Sequence, residues 1–252
     1  MFGFFKKKKN ACPIPEETRI WMENALIWLI NQFGEKKLLE DKTLIPSEND
    51  FPLQSIGTEK IAHDILPIIA KQMDVNPEII SIDFYNEQLI EIKGDMGNTI
   101  YGQQFEDDNY STGFYEGKGP HGKYNIAIEI GQLQDPTKLI ATLAHEIAHI
   151  KILGENRLNE NDEYLTDLVT VFFGLGIFNA NASFQFYSAS NKWGYSKQGY
   201  LTQQEWGYAL ALYAYIRNEK KPDWIKFLTP NIQSDFNKSQ LYIYENTDKV
   251  LV

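Results

Sequence analysis

The feature that most constrains this chain is the run at residues 142–150, where His145 and His149 stand four apart with Glu146 directly after the first. On a helix, positions four apart lie about 40° apart around the axis and one turn along it, so two imidazoles at this spacing converge on one ion. Glu146 then points beside that ion, where a carboxylate takes the proton of a metal-bound water. The residues around the motif, Leu139, Ile140, Leu143, Ile147, Ile150 and Ile152, are apolar, so the helix is expected to be mostly buried. Ordinary polar histidines would sit badly there, because unpaired polar groups in an apolar setting are costly and a metal removes the cost.

A two-histidine site needs a third protein ligand, and residues 159–168 offer Glu160, Asp162, Glu163 and Asp167. With Asn161 or Asp162 as N-cap, the run through Leu165, Leu168, Val169, Phe172 and Phe173 predicts a second apolar helix with Glu163 and Asp167 stacked on one face. Glu160 then falls outside the helix and Asp162 is occupied near its cap. Glutamate has the longer reach, so Glu163 is read as the third ligand. Asp167 is read as the carboxylate that takes the other ring N–H of a ligating histidine, His145, and fixes its tautomer.

H-E-x-x-H followed by E-x-x-x-D on a second helix resembles the gluzincin zinc peptidases. The T-D ending of the second motif is also similar to the E-x-x-A-D of membrane-embedded zinc peptidases. Only 13 residues separate His149 from Glu163, a shorter gap than in the familiar gluzincins, and Thr166 stands where the membrane group has alanine. The stretches L-T-D-L-V-T-V-F-F-G-L-G-I-F-N-A-N and R-I-W-M-E-N-A-L-I-W-L are similar to an uncharacterised group of bacterial zinc-peptidase-like proteins. The resemblance implies a zincin-like domain, with Zn²⁺ on His145, His149 and Glu163, that hydrolyses a peptide or protein substrate with Glu146 as general base. The alternative from another class is a zinc-containing regulatory or protein-interaction domain with the same fold and no turnover.

Composition bounds the rest. A net charge of −10 and a pI near 5.0 argue against nucleic acid as a general partner, since phosphate binding needs clustered cations. Cys12 is the single cysteine and cannot form an internal disulfide, which fits a reducing compartment. No run approaches the roughly eighteen apolar residues of a membrane span. Residues 1–9, M-F-G-F-F-K-K-K-K, lack the apolar stretch and cleavage site of an export signal, so the expected location is cytoplasmic. Residues 1–10 read as a flexible basic tail and 11–252 as one domain, with nothing in the sequence to set its oligomeric state.

The expected fold is α+β: N-terminal helices, a small mixed sheet, the metal helix, and a mainly helical C-terminal half. A first helix runs from Pro15 to Gly34, with Ile20, Trp21, Leu26 and Leu29 among its apolar positions. Residues 41–56 read as a loop, and residues 59–73 as a helix despite Pro67; its His63 reads as a solvated or hydrogen-bonded position rather than a ligand. Strands are expected near 80–84 and 89–92, an irregular or hairpin insertion at 101–122, and the strongest strand at 124–130. That last strand precedes the metal helix and is a candidate for the sheet edge along the cleft or its neighbour, a central strand being the alternative. Residues 174–176 should end the glutamate helix and 179–183 form a turn. A long helix should follow at 202–218, capped by Thr202 and Glu205, then shorter ones from 222 and over 231–244. Residues 117–119, G-K-G, lack the spacing of a phosphate loop. For stabilising an oxyanion the candidates are Tyr200, Tyr195 and His121.

Overall fold

The computed structural model describes residues 10–86, 90–93, 99–102, 113–119, 122–189, 192–197 and 200–251, with strand residues 90–93, 99–102, 113–117, 184–189 and 192–197 described by their backbone. Of the basic tail expected at 1–10, residues 1–9 lie outside the described residues, as does His121, whereas Asn10 is held by Glu245, its backbone N–H and side-chain amide donating to Oε2 at 2.8 and 2.9 Å.

Pro15 and the acidic pair Glu16 and Glu17 start α1 (Glu16–Phe33), and α2 (Glu35–Glu40) follows directly. The buried stripe of α1 is Arg19, Met22, Glu23, Leu26 and Leu29. Ile20, expected among the apolar positions, is 44% exposed, whereas Arg19 and Glu23, paired at 2.8 Å, lie on the buried face. After the loop at 41–56 comes α3 (Glu59–Gln72), with Pro67 and His63 on its exposed side.

β1 (Ile80–Tyr85) leads to the antiparallel pair β2 (Ile90–Lys93) and β3 (Thr99–Gly102), then β4 (Gly113–Lys118) and β5 (Tyr124–Glu129). β5 lies in the middle of a mixed sheet, parallel to β1 (Ile82 opposite Ile126) and antiparallel to β4 (Tyr115 opposite Ile126). It is therefore the central strand and a neighbour of both edges, not an edge itself. Its alternation sets which face is covered: Tyr124, Ile126 and Ile128 are buried and the residues between them are not. Within the segment expected as an irregular or hairpin insertion, β4 is a strand antiparallel to β5, in keeping with the hairpin alternative, and its glycines hide its period.

Asp135 accepts from the N–H groups of Thr137 (3.0 Å) and Lys138 (3.3 Å), and Pro136 takes the first helical position, so α4 (Pro136–His149) begins where the sequence places it. From Leu139 to His149 every residue but His145 is buried. α4 packs against α3 and, beyond a wider π-type turn at Ile150–Gly154, against α5 (Glu163–Phe172) and α6 (Gly176–Ala182). The hydroxyl of Tyr124 donates to the Gly154 carbonyl at 3.0 Å, and a Cβ on Gly154 would meet that hydroxyl at 2.9 Å. The strand preceding the metal helix thus pins its far end.

The turn expected at 179–183 is instead mostly helix α6. Ile177, Phe178, Ala180 and Ala182 are buried, and the asparagines that look like turn formers tie elements together. Asn179 donates to the Ala141 carbonyl (3.0 Å), while Asn181 donates to Phe227 (2.8 Å) and accepts from the Thr229 N–H (2.8 Å). The hairpin β6 (Phe184–Ala189) and β7 (Lys192–Lys197) follows. Then come α7 (Gln203–Ile216), opened by a capping box of Thr202 and Glu205, and α8 (Pro230–Glu245).

The result is a mixed α/β, mostly helical structure with a small sheet, and one apolar cluster extends from Ile14 through α4 to Val250. Among the described residues no helix is long and apolar enough to cross a membrane.

Candidate metal centre

Two helices build the site. α4 carries His145 and His149, and α5 begins at Glu163 because Asp162 caps it, accepting the Leu165 N–H at 3.0 Å. Glu163 Oε2 lies 3.0 Å from His145 Nε2 and 3.4 Å from His149 Nε2. The two imidazoles stand nearly perpendicular, at 86°, with centroids 4.9 Å apart. Donor atoms held about 2.1 Å from one tetrahedral ion stand about 3.4 Å from one another, so these separations suit a shared cation. All three donor atoms lie within 4.8 Å of one another, and the group can hold a metal ion.

Each donor is held by a second group. His145 Nδ1 is 3.0 Å from Asp167 Oδ1. Asp167 is fully buried, and its Oδ2 accepts the backbone N–H of Tyr200 (2.7 Å) and of Leu201 (3.1 Å). His149 Nδ1 lies 3.5 Å from Thr166 Oγ1, whose hydroxyl donates to the Asp162 carbonyl at 2.8 Å. Asn161 donates to Glu163 Oε1 at 2.7 Å. The sequence reading placed Asp167 against His145 but did not find Thr166 or Asn161 as partners. Thr166 was visible only as the residue preceding Asp167, and Asn161 only as a cap candidate.

The site is electrostatically negative. Burial works against a charged His145, but hydrogen bonds to Asp167 and Glu163 and the charges of Asp167 and Glu146 outweigh it and raise its pKa to about 10. Burial alone would raise Glu163, yet hydrogen bonds from His145 and His149 hold its carboxyl well below the usual range. A bound cation would answer the same surplus of carboxylate charge that holds the proton on His145. Glu146 differs from its neighbours: burial pushes its pKa up against the pull of the two histidines. It is 4% exposed, and its Oε2 finds no hydrogen-bond partner among the described residues. A buried carboxylate oxygen left in this way, beside two imidazoles, fits a group that completes its bonding with bound solvent or substrate.

Of the oxyanion candidates, Tyr200 lies at the site, its ring 6.4 Å from that of His145 and tilted by 16°. Burial, then the charges of Glu163 and Asp167, raise the pKa of its phenol. Tyr195 is placed on β7 by its backbone and its side chain is outside what is described, as is all of His121. His63 is exposed on α3, edge-on to Phe84 at 5.9 Å, and takes no part in the cluster. Glu160 is exposed, before α5. An open cleft of about 620 Å³ reaches Glu163 and is walled by residues 158–164 and Tyr200. Comparison with protein-family models, with curated proteins and with solved structures finds no match to this chain.

Proposed function

We propose that the protein is a zinc-dependent peptidase of zincin-like architecture, in which His145, His149 and Glu163 hold the ion and Glu146 is the general base. The observation that carries the reading is Glu146: a buried carboxylate with an unsatisfied Oε2, next in sequence to one of three convergent metal donors. Two imidazole nitrogens and one carboxylate oxygen are a donor set that suits zinc and leaves a fourth position open. When bound, the ion supplies Lewis acidity, making water more acidic and a carbonyl more electrophilic. Glu146 receives the proton of the attacking water at its carboxylate and delivers it to the departing amine. Asp167, 3.0 Å from His145 Nδ1, would take the Nδ1–H and leave Nε2 free to hold the ion. Tyr200, whose ring lies beside that of His145, offers a phenol for the developing oxyanion.

The test is metal analysis of the purified protein followed by a mixed peptide library with and without chelator. About one zinc per chain and chelator-sensitive cleavage are expected. Glu146→Gln should keep its metal and lose at least about a hundredfold in hydrolysis. A variant that cleaves at the parent rate overturns the assignment of Glu146. Zinc binding without any chelator-sensitive cleavage would instead favour a regulatory or interaction domain.

A further inference from the structure

A line of rings leads outward from the metal donors. His145 stacks on Tyr200, Tyr200 lies 6.0 Å from Tyr164, and Tyr164 lies 6.1 Å from Trp21 on α1. Tyr164 is 47% and Tyr200 38% exposed, an unusual amount for neighbouring aromatic rings at the mouth of a cleft. The 620 Å³ cleft beside Glu163 adjoins a second depression of about 420 Å³, the two sharing Asp162 and Tyr164 as walls. Their rims are acidic: Glu160 lines the first and Glu17 the second, both are exposed, and among the described residues no lysine or arginine lines either. Among the described residues neither Glu17 nor Glu160 makes an ion pair, whereas Asp162 is occupied as the cap of α5.

We propose that this acidic, aromatic-walled extension of the cleft takes a lysine or arginine side chain of a polypeptide substrate, and so sets the specificity of the site. The proposal rests on the peptidase reading for its substrate class. A lysine or arginine has the two halves that this surface asks for. Its alkyl stem covers ring faces, and its charged head sits over a ring or beside a carboxylate. An apolar side chain would cover the rings but leave the carboxylates unanswered, and an acidic one would be repelled by them. The net charge of −10 favours the approach of cationic over anionic peptides to the molecule as a whole.

The probe is a set of end-capped, fluorescently labelled alanine–serine peptides that differ at one central position: lysine, norleucine or glutamate. Binding is read by anisotropy on metal-loaded Glu146→Gln protein, so that the pocket is tested whether or not the parent turns over. The lysine peptide should bind about tenfold tighter than the norleucine peptide, and that advantage should shrink at high salt. The double variant Glu17→Gln, Glu160→Gln should erase the difference with metal content unchanged, and Tyr164→Ala should weaken lysine binding more than norleucine binding. Equal binding of lysine and norleucine, a lysine preference that survives the double variant, or no binding of any peptide overturns the proposal. Lysine preference without chelator-sensitive cleavage by the parent would leave the pocket standing and overturn the peptidase reading instead.

Discussion

Glu163 and Asp167 stand one turn apart on α5, but their surroundings divide their roles. Glu163 is partly exposed at the helix start with Oε2 between two imidazoles, whereas Asp167 is fully buried with both oxygens occupied by His145, Tyr200 and Leu201. Glu163→Ala should therefore lose most bound zinc, as checked by metal analysis after dialysis. Asp167→Ala should weaken zinc affinity by roughly 10- to 100-fold, the usual effect of removing a carboxylate behind a ligating histidine. It should also cost about 2–4 kcal/mol of stability in chemical denaturation, because two backbone N–H groups lose their buried acceptor. Glu160→Ala touches no donor and should keep full zinc occupancy. Full occupancy in Glu163→Ala, with an emptied site in Glu160→Ala, would show the ligand assignment to be wrong.

Among the described residues α7 and α8 make the most extensive helix contact, and Gly207 lies in it against the backbone of α8. A Cβ at Gly207 would stand 2.7 Å from Asp235 Cβ, 2.8 Å from the Asp235 carbonyl carbon and 2.9 Å from the Phe236 nitrogen. Alanine at a helix interior usually gains about 1 kcal/mol over glycine, but forcing backbone apart in a packed core costs about 1–3 kcal/mol or more. Gly207→Ala should thus be net destabilising in a urea titration, and a stabilised variant would mean that α8 can shift to make room. This contact was not legible in the sequence, where Gly207 is one weak position in a strong helix. What could be read was local chemistry: the capping box at Thr202, the Asp135–Pro136 start of α4, the Asp162 cap, and donors at fixed spacing on two helices. What could not be read depended on partners far along the chain. α6 looked like a turn because its asparagines bind Ala141, Phe227 and Thr229 rather than their own backbone. β5 could be an edge or a centre because only pairing with both β1 and β4 decides it.

Two polar networks join different parts of the chain, and they should fail independently. In one, Glu23 on α1 accepts from Arg19 (2.8 Å), from the Tyr208 hydroxyl on α7 (2.6 Å) and from the Leu251 N–H (2.9 Å), while Arg19 also donates to the Lys249 carbonyl (3.0 Å). Burial and the charge of Glu23 push the Tyr208 phenol well above its ordinary pKa, so it stays a donor. The other network is the candidate metal centre, whose His145, His149 and Glu163 tie α4 to α5. A ligand that binds only the folded state at a hundred times its Kd adds about 2.7 kcal/mol, and each kcal/mol moves Tm by about 2–4 °C in a protein of this size, so zinc should raise Tm by about 5–10 °C. Glu23→Ala leaves buried Arg19 with only the exposed Glu16 carboxylate at 3.9 Å and should cost about 3 kcal/mol, lowering Tm with and without zinc alike. The two networks share no partner, so the zinc-dependent rise should survive in Glu23→Ala and vanish in Glu163→Ala. Scanning calorimetry of the three proteins with zinc and with chelator separates these cases. A parent whose Tm ignores zinc would remove the metal from the folding energetics, and a Glu23→Ala protein that loses the zinc-dependent rise would show that α1 and the metal centre unfold as one coupled unit.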